Sequence, residues 1–357
     1  MNQKKDIKEF TREQLVSWLE AQDIAPYRAA QILKWVYSQT DSFDAMTDIG
    51  KDIRKLLSSC FTISRLEKNH VETSKDGSRK YLFKLFDGQY IETVLIPEKD
   101  HYTLCISSQV GCALGCSFCL TAKSGLVRNL TMGEIIAQVR DICNDLGDSD
   151  LRLTNIVFMG MGEPLANYKN VVNAIGVITD NHYGLKFSNR KITVSTAGLV
   201  PRLSDLDCDT KVSLAVSLNA TDNQTRDILM PVNRKYPLEK LIEACSKYRL
   251  MPHRRITFEY ILIKGLNDSA ADAKRLAKLL RPVKAKINLI PFNEHAGSDY
   301  KRPDEPVVHR FQEILYKHNY TVTVRHSKGK DISAACGQLS ANKFQLPADS
   351  VPNGFSI

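Results

Sequence analysis

From about residue 100 onward, short β-rich segments alternate with longer stretches of helical character. This alternation constrains the fold most strongly, because strands that alternate with helices assemble into a parallel sheet covered by those helices. One helix is predicted to begin at Thr131, which forms a capping box with Glu134. Six such units predict an α/β fold with a partial parallel (β/α)6 barrel, whose functional residues collect at the carboxyl ends of the strands. The predicted strands are Thr103–Ser107, Asn155–Met159, Lys191–Ser195, Val212–Ser217, Ile256–Ile263 and Lys286–Pro291.

The segments on either side of this core have other patterns. The N-terminal segment is helical in character, and Thr11 with Gln14 forms another capping box. Two β-rich runs flank Asp87-Gly88, which predicts a β-hairpin. Thr321–Arg325 predicts one more strand. The predicted organisation is a small helical N-terminal domain (1–75), a β-hairpin linker (76–97), the core barrel (98–331) and a C-terminal segment (332–357).

The composition is that of an ordinary globular protein, with 43% hydrophobic and 25% charged residues among 357. The formal net charge of +9 favours an anionic partner such as nucleic acid, although a basic enzyme without a polyanionic partner is equally compatible with it. The N-terminus has no apolar run typical of a secretion signal, and no uninterrupted apolar stretch approaches the ~18 residues of a membrane span. We therefore expect a cytoplasmic protein without a membrane partner.

Three of the nine cysteines, Cys112, Cys116 and Cys119, are crowded into eight positions with the spacing C-x3-C-x2-C. They follow a predicted strand, and thiolates are soft ligands that suit iron–sulfur clusters or zinc. Structural zinc sites usually have four protein ligands, and no second C-x-x-C pair is present. Three ligands to a four-iron cluster would leave one iron open to a small molecule. A zinc site completed by a distant residue, or a coincidental loop, is the alternative.

Small polar residues follow other predicted strands. In Gly160–Pro164, two glycines would let the backbone approach a ligand and Glu163 could hold an ammonium group. Ser195–Gly198, Ser217–Asn219 and Asn288–Asn293 also lie at strand ends. Taken singly, each motif is better explained as a turn or a helix cap.

Together, these motifs resemble known enzymes. C-x3-C-x2-C with an aromatic residue before its last cysteine is similar to the signature of the radical S-adenosylmethionine (SAM) superfamily. With Val110–Leu114, Gly160–Leu165 and Asp331–Leu339, nearly the whole chain resembles the RNA adenine methyltransferases of the RlmN/Cfr group. The resemblance implies a radical SAM core barrel, a 4Fe-4S cluster, and two SAM molecules per turnover.

The resemblance also implies residue roles. Cys112, Cys116 and Cys119 would bind the cluster, and Cys336 would carry the methyl group as S-methylcysteine. Cys105 would form a transient disulfide with Cys336, although from the residue alone a buried strand cysteine is the better reading. Glu92 would be the proton acceptor. The SAM-contacting positions would be Gly162, Glu163, Ser195, Ser217, Leu218, Asn219 and Asn293. Many family members have histidine at the position of Asn219.

The implied reaction is methylation of carbon 2 of an adenosine in the peptidyl-transferase centre of 23S rRNA, and of tRNA as well. The implied partners are these RNAs and an electron donor such as flavodoxin, and the chain is expected to act as a monomer. The N-terminal domain would assist RNA binding. A group of basic residues near the site motifs is expected to contact phosphates: Arg128, Arg254, Arg255, Lys301, Arg302, Arg325, Lys328 and Lys330.

Three other functions are compatible with parts of the sequence. A Cfr-like enzyme would methylate carbon 8 with the same motifs, although the overall similarity is closer to RlmN. A non-catalytic iron–sulfur or zinc RNA-binding protein would not need Cys336. A radical SAM enzyme that abstracts hydrogen from a protein would leave the Cys336 motif unexplained.

Overall fold

The structure, a computed structural model, describes residues 4–147, 149–295, 298–325 and 327–340. Its helices are α1 (Arg12–Glu20), α2 (Arg28–Tyr37), α3 (Lys51–Cys60), α4 (Leu120–Lys123), α5 (Met132–Leu146), α6 (Tyr168–Thr179), α7 (Pro201–Asp209), α8 (Asn223–Leu229), α9 (Leu238–Lys247), α10 (Ala270–Leu279) and α11 (Glu305–Lys317). Its strands are β1 (Lys5–Asp6), β2 (Phe61–Thr62), β3 (Glu67–Thr73), β4 (Arg79–Lys84), β5 (Tyr90–Pro97), β6 (His101–Cys105), β7 (Gln109–Gly111), β8 (Leu126–Asn129), β9 (Arg152–Phe158), β10 (Ile192–Thr196), β11 (Ser213–Ser217), β12 (Ile256–Leu262), β13 (Ala285–Pro291) and β14 (Val322–Val324).

One ten-stranded sheet organises the molecule, in the order β14-β13-β12-β11-β10-β9-β6-β5-β4-β3. Within this sheet β6, β9, β10, β11, β12, β13 and β14 are parallel, whereas β3, β4, β5 and β6 pair in antiparallel fashion. The parallel strands lie side by side in chain order, so right-handed crossovers place their helices on one face. The sheet ends at β3 and β14, so it is an open, partial barrel as predicted.

All six predicted core strands are confirmed, with their bounds shifted by a few residues at most. The predicted strand near residue 321 is confirmed as β14, and the predicted hairpin as β4 and β5. The hairpin is not a separate linker, because β5 pairs with β6 and so continues the core sheet.

The structure differs from the predicted helical segment 1–75 at its end, where Glu67–Thr73 forms β3. This edge strand is polar and mostly exposed, so it lacks the apolar alternation by which a strand is recognised in sequence. It is a strand because β4 supplies its hydrogen-bonding partners. The helical N-terminal unit therefore consists of α1, α2 and α3.

Buried charges dock this helical unit on the core. Arg140, on α5, is fully buried and donates to the carbonyl oxygens of Val36 and Thr40, at 3.0 and 2.6 Å. Its guanidinium also pairs with Asp41 at 2.9 Å. A buried guanidinium is tolerated only when its donors are satisfied, so these contacts fix the unit against α5. In the part of the chain described, no helix has the length and apolar character that a membrane span requires.

Candidate active site

An open cavity of about 900 Å³ lies at the carboxyl ends of the parallel strands. Its walls come from the segments that follow β7, β9, β10 and β11, from β12 itself and from residues 336–339, which the fold brings together although they are far apart in sequence. Nine of the predicted site residues line it: Cys112, Cys116, Cys119, Gly162, Glu163, Ser195, Ser217, Asn219 and Cys336. We call it the main cavity.

The three clustered cysteines lie on residues 111–119, here called the cluster loop. Gly111 opens the loop at a φ of +76°, and a Cβ there would overlap the carbonyl oxygen of Gly125, so the position requires glycine. The Cys112 N–H donates to that same oxygen at 2.8 Å. Phe118 anchors the loop in a small apolar cluster with Met230 and other residues.

The donor set of the cluster loop fits an iron–sulfur cluster. Burial raises the pKa of Cys112 to about 11 and also raises that of Cys116, and a bound metal would oppose both shifts by stabilising the thiolates. A four-iron cluster takes each cysteine on a different iron atom, so its ligands need not converge on one point. Among the described residues, no three His, Cys, Asp or Glu side chains converge on a single-ion site.

The glycines of the Gly160–Pro164 motif have a packing role beside the expected approach of a ligand. A Cβ at Gly160 would lie 2.7 Å from the backbone of Ile106, just after β6. At Gly162, where φ is +96°, a Cβ would collide with Gln109. Both glycines therefore allow this turn to pack against the segment between β6 and β7.

Glu163 is buried in the wall of the main cavity. Its carboxylate accepts hydrogen bonds from the Ala197 and Leu165 N–H groups, at 2.8 and 3.0 Å. Burial raises the pKa of Glu163, and these two donors oppose that shift by stabilising the ionised form. The carboxylate is thus held rigidly at the cavity, where the resemblance implies contact with the SAM amine.

Asn219 adopts a left-handed backbone conformation with a φ of +59°. Asparagine and histidine are among the residues enriched in this conformation, which is a physical reason why they can replace one another here. The Asn219 side chain is fully buried and accepts a hydrogen bond from the Ile261 N–H at 2.9 Å. It therefore links the turn after β11 to β12.

Two predicted SAM-contacting residues lie outside the lining of the main cavity. Leu218 is fully buried in the apolar core, so any contact with a ligand would come from its backbone. Asn293 is buried beside the Cys336 loop and donates to the Cys336 carbonyl oxygen at 3.4 Å. Its Oδ1 atom is buried without a hydrogen-bond partner among the described residues, which leaves an acceptor available to a ligand.

Cys336 lies on residues 329–340, here called the carrier loop. It lines both the main cavity and a neighbouring cavity of about 730 Å³ that Cys105 also lines. We call the latter the thiol cavity. Burial raises the pKa of Cys105 to about 12 and also raises that of Cys336. The guanidinium of Arg325, which lines the same cavity, opposes both shifts.

All nine cysteines are free thiols in the structure. The disulfide expected between Cys105 and Cys336 is therefore not part of the folded chain. The fold does bring the two thiols to one cavity, although 230 positions separate them in the sequence.

Glu92 lies on β5 and is almost completely buried. Its Oε2 atom accepts a hydrogen bond from the Ser340 N–H at 2.7 Å, so it holds the end of the carrier loop. Burial raises the pKa of Glu92, whereas Lys80 and the Ser340 N–H lower it. A carboxylate whose pKa is raised in this way is suited to accept a proton.

The basic residues expected around the site do not form one surface. Arg254 and Arg255 precede β12, so they lie at the amino end of the sheet, opposite the main cavity. The prediction that they flank the site is wrong, because proximity to a strand in sequence does not specify which end of it is functional. Arg128 pairs with Asp87 and Glu134, at 2.6 and 2.8 Å.

The other predicted cations are nearer the site. Arg325 and Lys328 line the thiol cavity. Lys301 and Arg302 follow β13, and Lys330 lies in the carrier loop. Their contact with RNA phosphates stays a prediction.

Two charged residues of the site were not predicted from the sequence. Glu259 lines the main cavity and accepts a hydrogen bond from Ser195 Oγ at 3.2 Å. Its signal was a carboxylate inside the mostly apolar strand β12. Arg226 is fully buried and donates to the carbonyl oxygens of Ala197 and Leu218, at 2.7 and 3.0 Å, so it ties together the ends of β10 and β11.

Comparison with known proteins agrees with this geometry. Residues 106–277 match the family model of the radical SAM superfamily. Residues 5–63 match the N-terminal domain of ribosomal RNA large subunit methyltransferases. The second match covers the helical unit and ends before β3.

The chain is also similar to whole proteins. It is 58% identical to the dual-specificity RNA methyltransferase RlmN of Desulfosudis oleivorans, over 94% of this chain and 91% of that protein. It is 51% identical to the RlmN of Geotalea uraniireducens, over 94% and 97% of the two chains. A crystal structure of a radical SAM methyltransferase from Sphaerobacter thermophilus superposes with a TM-score of 0.88 at 44% identity, over 94% and 99% of the two chains. The chain is therefore an enzyme of the radical SAM superfamily and belongs to the RlmN family of RNA methyltransferases.

Proposed function

We propose that the chain methylates carbon 2 of an adenosine in the peptidyl-transferase centre of 23S rRNA, and of an adenosine in tRNA. The observation that carries the proposal is that Cys105 and Cys336 both line the thiol cavity, while Cys336 also lines the main cavity with the cluster-loop cysteines. A methyltransferase that used SAM by simple displacement would need neither thiol. The 58% identity to an enzyme named for dual RNA specificity supports both substrates.

Cys112, Cys116 and Cys119 would hold the 4Fe-4S cluster in this proposal. When bound, the cluster supplies the electron that cleaves SAM to methionine and a 5′-deoxyadenosyl radical. Glu163 offers a fixed carboxylate to the SAM ammonium group. The side chains of Ser195, Ser217 and Asn219, the backbone of Gly162 and Leu218, and the free Oδ1 atom of Asn293 offer further polar contacts.

Cys336 is proposed to take a methyl group from one SAM before a second SAM is used. Only the thiolate is nucleophilic enough for this displacement, and Arg325 favours the thiolate against the effect of burial. The products of this step are S-methylcysteine and S-adenosylhomocysteine. Two SAM molecules are therefore consumed per methylated adenosine.

The carbon is then transferred from Cys336 to the adenine in the thiol cavity. A hydrogen atom passes from the Cys336 methyl group to the 5′-deoxyadenosyl radical, which becomes 5′-deoxyadenosine, and the resulting carbon radical adds to adenine carbon 2. Glu92 takes the proton from that carbon, and the Cys105 thiolate attacks the Cys336 sulfur, so the carbon leaves with the base and a disulfide forms. A solvent proton completes the new methyl group and one surplus electron returns to the electron carrier. A cellular dithiol reopens the disulfide.

The RNA has to bring its target base to the thiol cavity. A base inside a helix is out of reach of such a cavity, so the adenine is expected to be unstacked before it enters. Arg325 and Lys328 line the cavity and can contact a phosphate or the base edge. We propose that the chain acts as a monomer in the bacterial cytoplasm, where its RNA substrates and an electron donor such as flavodoxin are available.

The test uses the full chain, reconstituted anaerobically with iron and sulfide and supplied with SAM, a reductant, and either a 23S rRNA fragment or tRNA. Digestion of the RNA followed by mass spectrometry should show 2-methyladenosine in both RNAs. Product only in rRNA would remove the tRNA part of the proposal, and 8-methyladenosine as the sole product would assign the carbon-8 reaction. Undiminished methylation by Cys336→Ala would overturn the mechanism.

A further inference from the structure

A row of three charged side chains crosses the antiparallel part of the sheet. Lys80 on β4 lies between Glu72 on β3 and Glu92 on β5. Its Nζ atom is 3.1 Å from a Glu72 oxygen and 3.4 Å from Glu92 Oε1. Only 6% of Lys80 and 1% of Glu92 are exposed. A buried ammonium group is costly unless it is paired and hydrogen-bonded, so this arrangement needs a structural or functional reason.

The same ammonium group also reaches the carrier loop. Lys80 Nζ donates to the carbonyl oxygen of Ile332 at 2.6 Å. Glu92 accepts from the Ser340 N–H at 2.7 Å through its other oxygen. One buried ion pair therefore contacts the carrier loop on both sides of Cys336, four residues before it and four residues after it.

We propose that Lys80 is a positioning residue for methyl transfer, which holds Glu92 ionised and docks the carrier loop so that Cys336 and the proton acceptor share one rigid frame. The proposal rests on the role of Glu92 in the proposed function. Lys80 acts through Glu92 and the loop backbone, so it is not itself assigned a chemical step.

Each neighbouring charge shifts the pKa of Glu92 in a known direction. Burial raises the pKa of Glu92, Lys80 opposes that rise, and Glu72 reinforces it. The groups that face Glu92 are Lys80, Glu72 and the Ser340 N–H, and His70 lies beyond them, 3.8 Å from Glu72. Loss of the Lys80 charge should therefore raise the pKa of Glu92, and loss of the Glu72 charge should lower it.

The first experiment measures the pH dependence of single-turnover methylation by the reconstituted enzyme. Because Glu92 must be ionised to accept a proton, Lys80→Met should move the acidic limb to higher pH by about 1 unit or more. Glu72→Gln should move it to lower pH by a smaller amount, and Lys80→Arg should restore most of the wild-type profile. Lys84→Met is the matched control, since Lys84 lies on the same strand and pairs with Glu67 at 3.8 Å, away from Glu92.

The second experiment needs no cluster, SAM or RNA. Amide hydrogen exchange of residues 330–340 is measured by mass spectrometry on the metal-free chain. Lys80→Met should speed exchange at this segment by about tenfold, whereas Lys84→Met should leave it unchanged. If Lys80→Met does not fold, the pH dependence of methylation by Lys80→Arg and Glu72→Gln still tests the inference.

The outcomes separate the two proposals. If Glu92→Gln is inactive while Lys80→Met keeps the wild-type pH profile and exchange rate, the inference about Lys80 is overturned and the proposed function stands. If Glu92→Gln methylates RNA at the wild-type rate, both the role of Glu92 and the inference fall. Opposite shifts in Lys80→Met and Glu72→Gln, with faster exchange in Lys80→Met, support the inference.

Discussion

The cluster loop and the carrier loop both present cysteines to the main cavity, but they are held in different ways. The cluster loop is held mainly through its backbone, as in the hydrogen bonds from the Cys112 N–H to the Gly125 carbonyl oxygen and from the Ser117 N–H to the Leu229 carbonyl oxygen, and by apolar packing of Phe118. The carrier loop is held by side chains from distant segments. Each side chain forms a hydrogen bond with a backbone group of the loop: Asp76 with Gly329, Lys80 with Ile332, Asn293 with Cys336, Thr121 with Leu339 and Glu92 with Ser340.

The two loops therefore depend on different parts of the chain. The cluster loop depends on the backbone conformation at its own positions, above all at Gly111, so a change there should disrupt it. The carrier loop needs the hairpin strands and the sheet order, so changes far away in sequence should move Cys336. Each prediction below affects one of the two loops and should leave the other largely intact.

The largest effect is expected when the carrier loop loses its thiol. Cys336→Ala removes the proposed methyl carrier, so RNA methylation should fall by at least about 1,000-fold. The iron content and the ultraviolet–visible absorption of the reconstituted cluster should be unchanged, because the cluster loop is not altered. Cys208→Ala, which removes an exposed thiol on α7, is the control and should be fully active. Residual methylation within tenfold of wild type would contradict the carrier role.

The next largest effect concerns the cluster loop. Gly111→Ala adds both a strained φ and an overlap with the Gly125 carbonyl oxygen, so it should reduce the free energy of unfolding by about 3 kcal/mol. Gly88→Ala is the matched control, because its φ of +80° is similar but nothing lies within 4 Å of the added Cβ. That control should lose only about 1 kcal/mol.

Urea unfolding and iron content after reconstitution measure the effect of Gly111→Ala. The variant should bind less iron, while carrier-loop peptides should keep their wild-type hydrogen exchange. Equal losses in Gly111→Ala and Gly88→Ala would show that the overlap at the cluster loop has no consequence.

A smaller effect is expected at the thiol cavity. Arg325→Met removes the cation that favours the Cys336 thiolate, so the pKa of Cys336 should rise further. Alkylation of Cys336 by iodoacetamide at neutral pH should slow by about tenfold, and its pH dependence should move to higher pH. Peptide mass spectrometry measures the rate, with Arg302→Met as the control. An unchanged rate would mean that Arg325 does not act on this thiol.

The smallest effect is expected at the start of the carrier loop. Asp76 accepts hydrogen bonds from the Gly329 and Ser78 N–H groups, at 2.7 and 2.9 Å. Despite the opposing effect of burial, these donors lower its pKa to about 2. Asp76→Asn should therefore reduce stability at neutral pH, but by less than about 1 kcal/mol because the carboxylate is exposed.

The sign of this effect can be checked with pH. A carboxylate with a lowered pKa stabilises the fold above its unfolded pKa, and this contribution is lost as the pH falls toward the folded value. Urea unfolding of wild type and Asp76→Asn should therefore converge as the pH falls from about 5 toward 2. Asp205→Asn, at a partly exposed helix position where Asp205 pairs with Arg202, is the control. If the difference in free energy of unfolding between wild type and Asp76→Asn grows in acid, the lowered pKa of Asp76 is contradicted.

Much of this protein was determined by its sequence alone. The core strands, the hairpin and the capping boxes at Thr11 and Thr131 all occur as predicted, because each depends on residues within a few positions of one another. The spacing of Cys112, Cys116 and Cys119 indicated their shared loop for the same reason. Periodicity and capping are local, so sequence reports them directly.

The tertiary structure decided which distant residues meet. Glu67–Thr73 became a strand because β4 pairs with it, and Arg254 was placed at the amino end of the sheet, away from the site. Cys105 and Cys336 line one cavity because β6 lies within the parallel sheet while the carrier loop folds back over its carboxyl edge. Only the family resemblance suggested that pair in advance, since local patterns carry no information about contacts set by strand order and by the docking of a loop.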